Sequence, residues 1–266
     1  MTGGTRGEDR GLAGQRILVT GASSGIGEET ARLFVQQGAR VGLVARRADR
    51  LEALAAEVGG PDHALVFRCD VTDDVAVART VASAWQALGG IDVLVHSAGI
   101  SKPTPLPDLT PEVWREVIDV NLSGSFYVGR EVGLRMREAG GGSMVLVSSE
   151  SAFLGEAAFV AYCASKGGMV ALTKALAAEL SPTVRVNVIC PGTVDTPMVA
   201  ADFADLPDPD GARREVERRI PLGRLATADE IAHGILYLTE ATFATGMALN
   251  LDGGTTAFLA PFADEP

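Results

Sequence analysis

Short apolar runs alternate with longer stretches of helical periodicity along most of this chain. That alternation is the sequence form of repeated β-α units around a parallel sheet covered on both faces. The runs are Arg16–Thr20, Arg40–Ala45, Ala64–Arg68, Ile91–Val95, Ser143–Val147, Val184–Ile189 and Met247–Leu251, so seven strands are expected. Helix beginnings are marked by Asp49 with Glu52, by Thr110 followed by Pro111, and by Thr227 with Glu230, residues whose side chains cap free amides or pre-set the helical φ. The expected fold is α/β, a doubly wound sheet of mainly parallel strands with helices on both faces. No composition shift or internal repeat marks a linker, so residues 13–266 are read as one domain. Residues 1–12, glycine-rich and charged, are read as a flexible extension that is neither signal peptide nor membrane anchor.

The rhythm fails between Asp195 and Arg219, where Pro197, Pro207 and Pro209 and the aspartates Asp202, Asp205, Asp208 and Asp210 break every period. An irregular loop acting as a substrate lid over residues 195–219 is expected there. Composition narrows the partners. Acidic residues outnumber basic ones 34 to 23, a net charge of −11 that repels polyphosphate backbones and anionic lipid. Neither nucleic acid nor a membrane is therefore an expected partner. Cys69, Cys163 and Cys190 are scattered without CxxC spacing, and His63, His96 and His233 have no ligand spacing. No metal and a cytoplasmic location are expected.

Directly after the first strand runs Thr20-Gly21-Ala22-Ser23-Ser24-Gly25-Ile26-Gly27, and a helical stretch follows from Glu28 to Gln37. Glycine at such a junction lets the backbone turn tightly and approach a diphosphate, which the helix N-terminus and its free amides stabilise. An ordinary tight turn would use glycine too; the strand-turn-helix context favours the phosphate. At the tip of the second strand stands Ala45-Arg46-Arg47. No carboxylate is present to accept the ribose hydroxyls of NAD, whereas Arg46 is placed to pair with a 2′-phosphate. NADP(H) is the preferred cofactor on this reading, NAD(H) a possible one, and a solvated arginine pair the bland alternative.

Tyr162-Cys163-Ala164-Ser165-Lys166 lies in a helical run that continues to Leu180. Positions i and i+4 share one helix face, so the phenol and the ammonium can converge, and a nearby cation lowers a phenol pKa toward working pH. That suits a general acid or base. Alone, the spacing is common enough to be an exposed helix pair.

It is accompanied by Ser149, thirteen residues before Tyr162, and by Asn121 in Asp119-Val120-Asn121-Leu122. Together with the G-x-x-x-G-x-G turn these residues resemble the short-chain dehydrogenase/reductase family in its single-domain form, and the resemblance runs from Thr20 to Gly254. It implies a Rossmann-type fold and hydride transfer between a nicotinamide and a carbonyl or carbinol carbon. By resemblance Tyr162 exchanges the proton, Ser149 orients the substrate oxygen, Lys166 lowers the tyrosine pKa and holds the nicotinamide ribose, and Asn121 organises a relay water. The cofactor contacts so implied are Gly21, Ser23, Ser24, Gly25, Ile26 and Gly27 in the turn, and Arg46 and Arg47 after the second strand. Further along they are Asp70 and Val71, Ala98 and Gly99, Tyr162 and Lys166, then Pro191, Gly192, Val194 and Thr196. Pro221-Leu222-Gly223-Arg224 and Gly246 through Gly254 match the family's C-terminal landmarks. Where the family carries asparagines before Ala98-Gly99, this chain has His96 and Ser97. His96 is read as a partly buried packing residue.

The resemblance also implies a homo-oligomer, commonly a tetramer, and a small-molecule ketone or secondary alcohol as substrate. A 3-oxoacyl-(acyl carrier protein) reductase shares every motif above, and a dinucleotide-sensing regulator is the non-enzymatic alternative. Enoyl reductases use a wider Tyr-to-Lys spacing, and the extended epimerases need a longer C-terminal region. Phe153, Leu154, Phe159, Met198 and Phe203 are read as apolar pocket lining or as core. Arg213, Arg214, Arg218 and Arg219 are read as a solvated helix face rather than a dock for an acidic partner.

Overall fold

The computed structural model describes residues 11–204 and 206–257. Its first half runs β1 Arg16–Thr20, α1 Gly25–Gln36, β2 Arg40–Ala45, α2 Ala48–Glu57, β3 Ala64–Arg68, α3 Asp74–Leu88 and β4 Val93–His96. Then come α4 Pro111–Ile118, a π-helical turn Asp119–Ser123, α5 Gly124–Ala139, β5 Gly142–Val147, α6 Val160–Leu180 and β6 Val184–Pro191. The remainder is α7 Pro197–Ala204, α8 Pro209–Arg219, α9 Ala228–Glu240 and β7 Ala248–Leu251. The strands form one sheet in the order β3-β2-β1-β4-β5-β6-β7, every pair parallel.

The strand sequences are nearly continuous in Val, Leu and Ile because both faces of the sheet are covered. Along β1, Ile17 and Val19 point into a core shared with Phe34 of α1 and Ile235 of α9. The alternate residue Leu18 joins Leu94, Val128 and Met144 in a second core under α3 and α5. Period-two alternation thus feeds two cores rather than one core and solvent. The strand order reverses between β1 and β4, and a crevice opens at their carboxyl ends, where doubly wound sheets bind ligands.

Several helix starts follow the sequence signals. Thr110 caps α4 by accepting from the Val113 amide at 3.4 Å, with Pro111 in the first turn. Thr227 and Glu230 form a reciprocal capping box on α9. Others need correction. Asp49 is not a cap: α2 begins at Ala48, and Asp49 lies inside its first turn. The fourth strand begins at Val93 rather than Ile91, and the sixth runs on to Pro191.

The irregular loop expected over 195–219 is instead two helices, α7 and α8, each beginning at a proline. Proline lacks an amide that the first turn would leave unpaired, so Pro197 and Pro209 start helices rather than breaking them. Asp208 then caps α8 by accepting from the Gly211 amide at 2.9 Å. At the N-terminus, Leu12 is 1% exposed within the first core, so packing begins inside the stretch read as an extension. Residues 1–10 lie outside the described residues. Among the described residues no helix is long and apolar enough to cross a membrane.

Gly21 closes β1 at φ +70, and a Cβ there would stand 2.6 Å from the Ser97 carbonyl carbon. Backbone cannot yield as a flexible side chain can. Gly21→Ala is therefore expected to lower unfolding free energy by ~2 kcal/mol or more in urea titration. An unchanged midpoint would contradict the close approach.

Candidate active site

A cleft of about 240 Å³ opens on the carboxyl edge of the sheet. Its floor at one end is the β1–α1 turn. Gly27 is required there because a Cβ would come 2.5 Å from the Gly21 carbonyl oxygen. Ser24, the N-cap residue of α1, makes no side-chain cap bond, so the helix presents its first-turn amides unshielded. Free amides and the helix dipole favour an anion at that point. Arg47 reaches over the turn, its Nη2 donating to the Ser24 hydroxyl at 2.8 Å and to the Ser23 hydroxyl at 2.9 Å. Uncapped amides, a glycine floor and a guanidinium together fit a dinucleotide diphosphate.

Most of the residues implied by resemblance converge on this cleft. Gly21, Ser23, Ser24, Gly25 and Ile26 line it, as do Arg46 and Arg47. So do Asp70 and Val71 after β3, Ala98 and Gly99 after β4, Tyr162 and Lys166 on α6, and Thr196 before α7. Thr196 also packs on the turn, its Cγ2 lying 3.3 Å from where a Gly25 Cβ would be. Gly27, Pro191, Gly192 and Val194 do not line the cleft, and neither do Asn121 and Ser149. Gly192 instead packs against the Asp252 backbone, where a Cβ would meet Cα at 2.8 Å. The two arginines also exchange the emphasis expected of them. Arg47 engages the turn, whereas Arg46 is 64% exposed beside Asp70 at 4.0 Å.

At the other end of the cleft α6 presents Tyr162 and Lys166 one turn apart. The Lys166 ammonium, 5% exposed, donates to the Val147 carbonyl at 3.0 Å and lies 5.4 Å from the Tyr162 ring centroid. Burial pushes the lysine down to about 8. It pushes the Tyr162 phenol up to about 12, opposed by the Ser149 hydroxyl beside it and reinforced by Asp202 and Glu156. The expectation that Lys166 lowers the phenol pKa is thus corrected for this arrangement. The cation sits over the ring face, and desolvation outweighs it.

The two adjacent serines have separate tasks. Ser148 donates to the Lys166 carbonyl at 2.8 Å and ties β5 to α6. Ser149, 9% exposed, faces Tyr162 and accepts from the Ser151 amide at 3.1 Å. Asn121, fully buried, belongs to the π-helical turn between α4 and α5 rather than to a regular helix, a distortion that frequently marks functional sites. Its Oδ1 accepts from the Ile100 amide at 2.8 Å, and its Nδ2 donates to the Ile100 carbonyl at 3.0 Å and the Ser165 hydroxyl at 3.1 Å. The side chain is committed to the loop after β4, and its main-chain oxygen accepts from the Ser125 hydroxyl at 2.5 Å.

His96 is wholly rather than partly buried. Its Nδ1 pairs with the Thr20 hydroxyl at 2.8 Å, and its Nε2 has no partner. Burial first, and Lys166 second, hold its pKa down to about 3, so it stays neutral. Met198, read from the sequence as pocket lining or core, lines the cleft with Tyr162. One feature escaped the sequence reading: Glu150, next to Ser149, has a buried Oε2 without a partner. Burial pushes the Glu150 carboxyl up to about 7. Phe153 and Leu154 are exposed rather than core, and Phe159 stands edge-on to Tyr162 at 6.0 Å. Arg213, Arg214, Arg218 and Arg219 each pair with an acid on or next to α8, as a solvated helix face does, and Arg213 also reaches Asp195 before α7. Among the described residues no group of three His, Cys, Asp or Glu side chains gathers to hold a metal.

A doubly wound sheet with an uncapped phosphate turn and a Tyr-Lys pair sharing one cleft defines the class: a nicotinamide-dinucleotide oxidoreductase. A family model described as enoyl-(acyl carrier protein) reductase matches residues 21–256. The D-threitol dehydrogenase of Mycolicibacterium smegmatis is 40% identical over 250 residues, covering 92% of this chain and 94% of that protein. A 3-oxoacyl-[acyl-carrier-protein] reductase of Thermotoga maritima is 38% identical, covering 91% and 98%. Among solved structures, a variant of actinorhodin polyketide ketoreductase with NADPH superposes with a TM-score of 0.86 at 35% identity, covering 92% and 98%. The chain belongs to the short-chain dehydrogenase/reductase family.

The low Lys166 pKa has a direct signature. Desolvation favours the uncharged amine, so its charge is lost as pH rises through about 8. The Lys166 Cε resonance in the cofactor-free protein is expected to titrate there. A midpoint in the ordinary lysine range, near ~10.4, would mean the amine is solvated.

Proposed function

We propose that this protein is an NADP(H)-dependent oxidoreductase that interconverts a ketone and a secondary alcohol. The observation that carries this reading is one cleft with a guanidinium-covered phosphate turn at one end and Tyr162 and Lys166 at the other, with the Ser149 hydroxyl beside the Tyr162 phenol. The dinucleotide, when bound, supplies or accepts the hydride. Gly21, Gly25 and the α1 amides would hold its diphosphate, Arg47 and Arg46 its 2′-phosphate, and Lys166 its ribose hydroxyls.

The protein's part is placement and proton management. Burial keeps the Tyr162 phenol protonated at working pH, so it stands ready to donate to the substrate oxygen during reduction. The Ser149 hydroxyl, beside it, orients and stabilises that oxygen. Lys166, whose amine gains or loses its proton near about 8, restores the proton to Tyr162. Asn121 positions the loop through Ile100 and offers its carbonyl for the next step outward.

Reduction of carrier-bound 3-oxoacyl thioesters uses the same groups, and the Thermotoga relative's name favours it as a second reading. A dinucleotide sensor without turnover has no use for an intact Asn121, Ser149, Tyr162 and Lys166 set. A homotetramer is part of the same proposal, supported by the exposed Trp114 on α4 and Phe126 on α5. The free thiols of Cys69 and Cys190 accord with a cytoplasmic setting.

Tyr162→Phe is expected to reduce kcat by ~10²-fold or more, while NADPH binding, followed by fluorescence, persists. Wild-type turnover in that variant would remove Tyr162 from the mechanism. Arg47→Ala should weaken NADPH binding about tenfold and NADH binding far less, since only the former carries the 2′-phosphate. Equal losses for both forms would sink the NADP assignment.

A further inference from the structure

On α7, Asp202 follows Met198 by one turn, and residues four apart share a helix face. Met198 lines the cleft with Tyr162 and Lys166, so Asp202 is presented at the catalytic end. Its carboxyl is half-buried and lies beside Ser101 from the loop after β4. The Ser101 hydroxyl is buried, makes no bond of normal hydrogen-bond geometry, and has the Asp202 carboxyl as the acceptor beside it. A second carboxylate, Glu156, enters from the segment before α6 and lies close to Asp202. Both segments are held in place, because the Thr104 amide donates to the Ala158 carbonyl at 2.7 Å. Arg219 lies near Glu156 but is itself committed to Glu215 at 3.1 Å.

Beside the Tyr162 phenol there is therefore a wall of acceptors with one buried hydroxyl that makes no bond of normal geometry. A buried polar group without a partner is costly, and a ligand that completes its hydrogen bonds removes that cost. The same carboxylates repel a substrate anion at short range in a partly desolvated pocket.

Building on the oxidoreductase reading above, we propose that Asp202, with Ser101, selects the substrate by accepting a hydrogen bond from a hydroxyl next to the reacting carbon. The substrate class is then a neutral polyol or α-hydroxy ketone, and alcohols bearing a carboxylate or phosphate beside the carbinol are disfavoured. A site built to pair with a substrate hydroxyl discriminates strongly against the analogue that lacks it.

The test compares kcat/KM for erythritol, cyclohexanol and lactate with each nicotinamide form, in wild type, Asp202→Leu and Asp202→Asn. Asp202→Leu is expected to lower the erythritol-to-cyclohexanol ratio about tenfold or more, with the change in KM rather than kcat. Both variants should raise the lactate-to-cyclohexanol ratio, Asp202→Asn while keeping part of the erythritol preference through its amide oxygen. Should Asp202→Leu fail to fold, Asp202→Asn and Ser101→Ala carry the same comparison. Ratios that stay within about twofold of wild type overturn the proposal. Wild-type turnover of cyclohexanol without preference for erythritol also overturns it, and leaves the oxidoreductase reading standing. Wild-type inactivity toward all three alcohols overturns this substrate assignment, and the oxidoreductase reading is then decided by the Tyr162→Phe and Arg47→Ala comparisons above.

Discussion

The backbone of Gly21 lies so close to that of Ser97 and Ala98 that a Cβ would stand 2.6 to 2.7 Å from their atoms. β1 and β4 are neighbours at the reversal of strand order, and this contact pins their carboxyl ends to a common point. From one side leads the turn that opens α1. From the other leads the loop that carries Gly99 past Lys166 and Asn121, with Cβ positions 3.6 Å and 3.3 Å from their polar atoms. The β1–α1 turn and the loop beside Lys166 and Asn121 are thus tied together through main chain, and neither can shift without straining the other.

Burial then sets the chemistry of the pair on α6. Desolvation favours the uncharged form of each group, so the same environment that raises Tyr162 to about 12 lowers Lys166 to about 8. The two values separate an acid that holds its proton from an amine that exchanges one near neutrality. The ring face offers the ammonium a cation–π contact at 5.4 Å. His96 stays neutral and adds no positive charge beside it. A second cation there would repel Lys166 and lower its proton affinity further.

Much of this was legible in the sequence because it depends on local spacing. Strand and helix order followed from periodicity, and the i, i+4 relation placed Tyr162 and Lys166 together before any coordinates. Ser149 was distinguishable from Ser148 by its distance to Tyr162, and the structure gives them different partners. What failed depended on the fold. Proline and aspartate between Asp195 and Arg219 read as breakers, yet at the first turn of a helix both are favourable. The direction of the Tyr162 shift could not be read either, since a cation four residues away is visible in sequence and the depth of burial is not. Arg46 and Arg47 are adjacent and chemically alike. Only the path of the chain after β2 brings Arg47 onto the serines of the turn.

The cleft is polarised along its length, against the sign of the whole molecule at one end and with it at the other. A chain of net charge −11 would repel a polyanionic cofactor at long range. Arg46, Arg47 and the bare α1 amides reverse that sign locally, within the Debye length of ~8 Å that physiological salt allows. Near Tyr162 stand the carboxyls of Asp202 and Glu156, and burial raises the pKa of both. On the proposed reading, charge anchors the ligand at one end of this groove and hydrogen bonding selects it at the other.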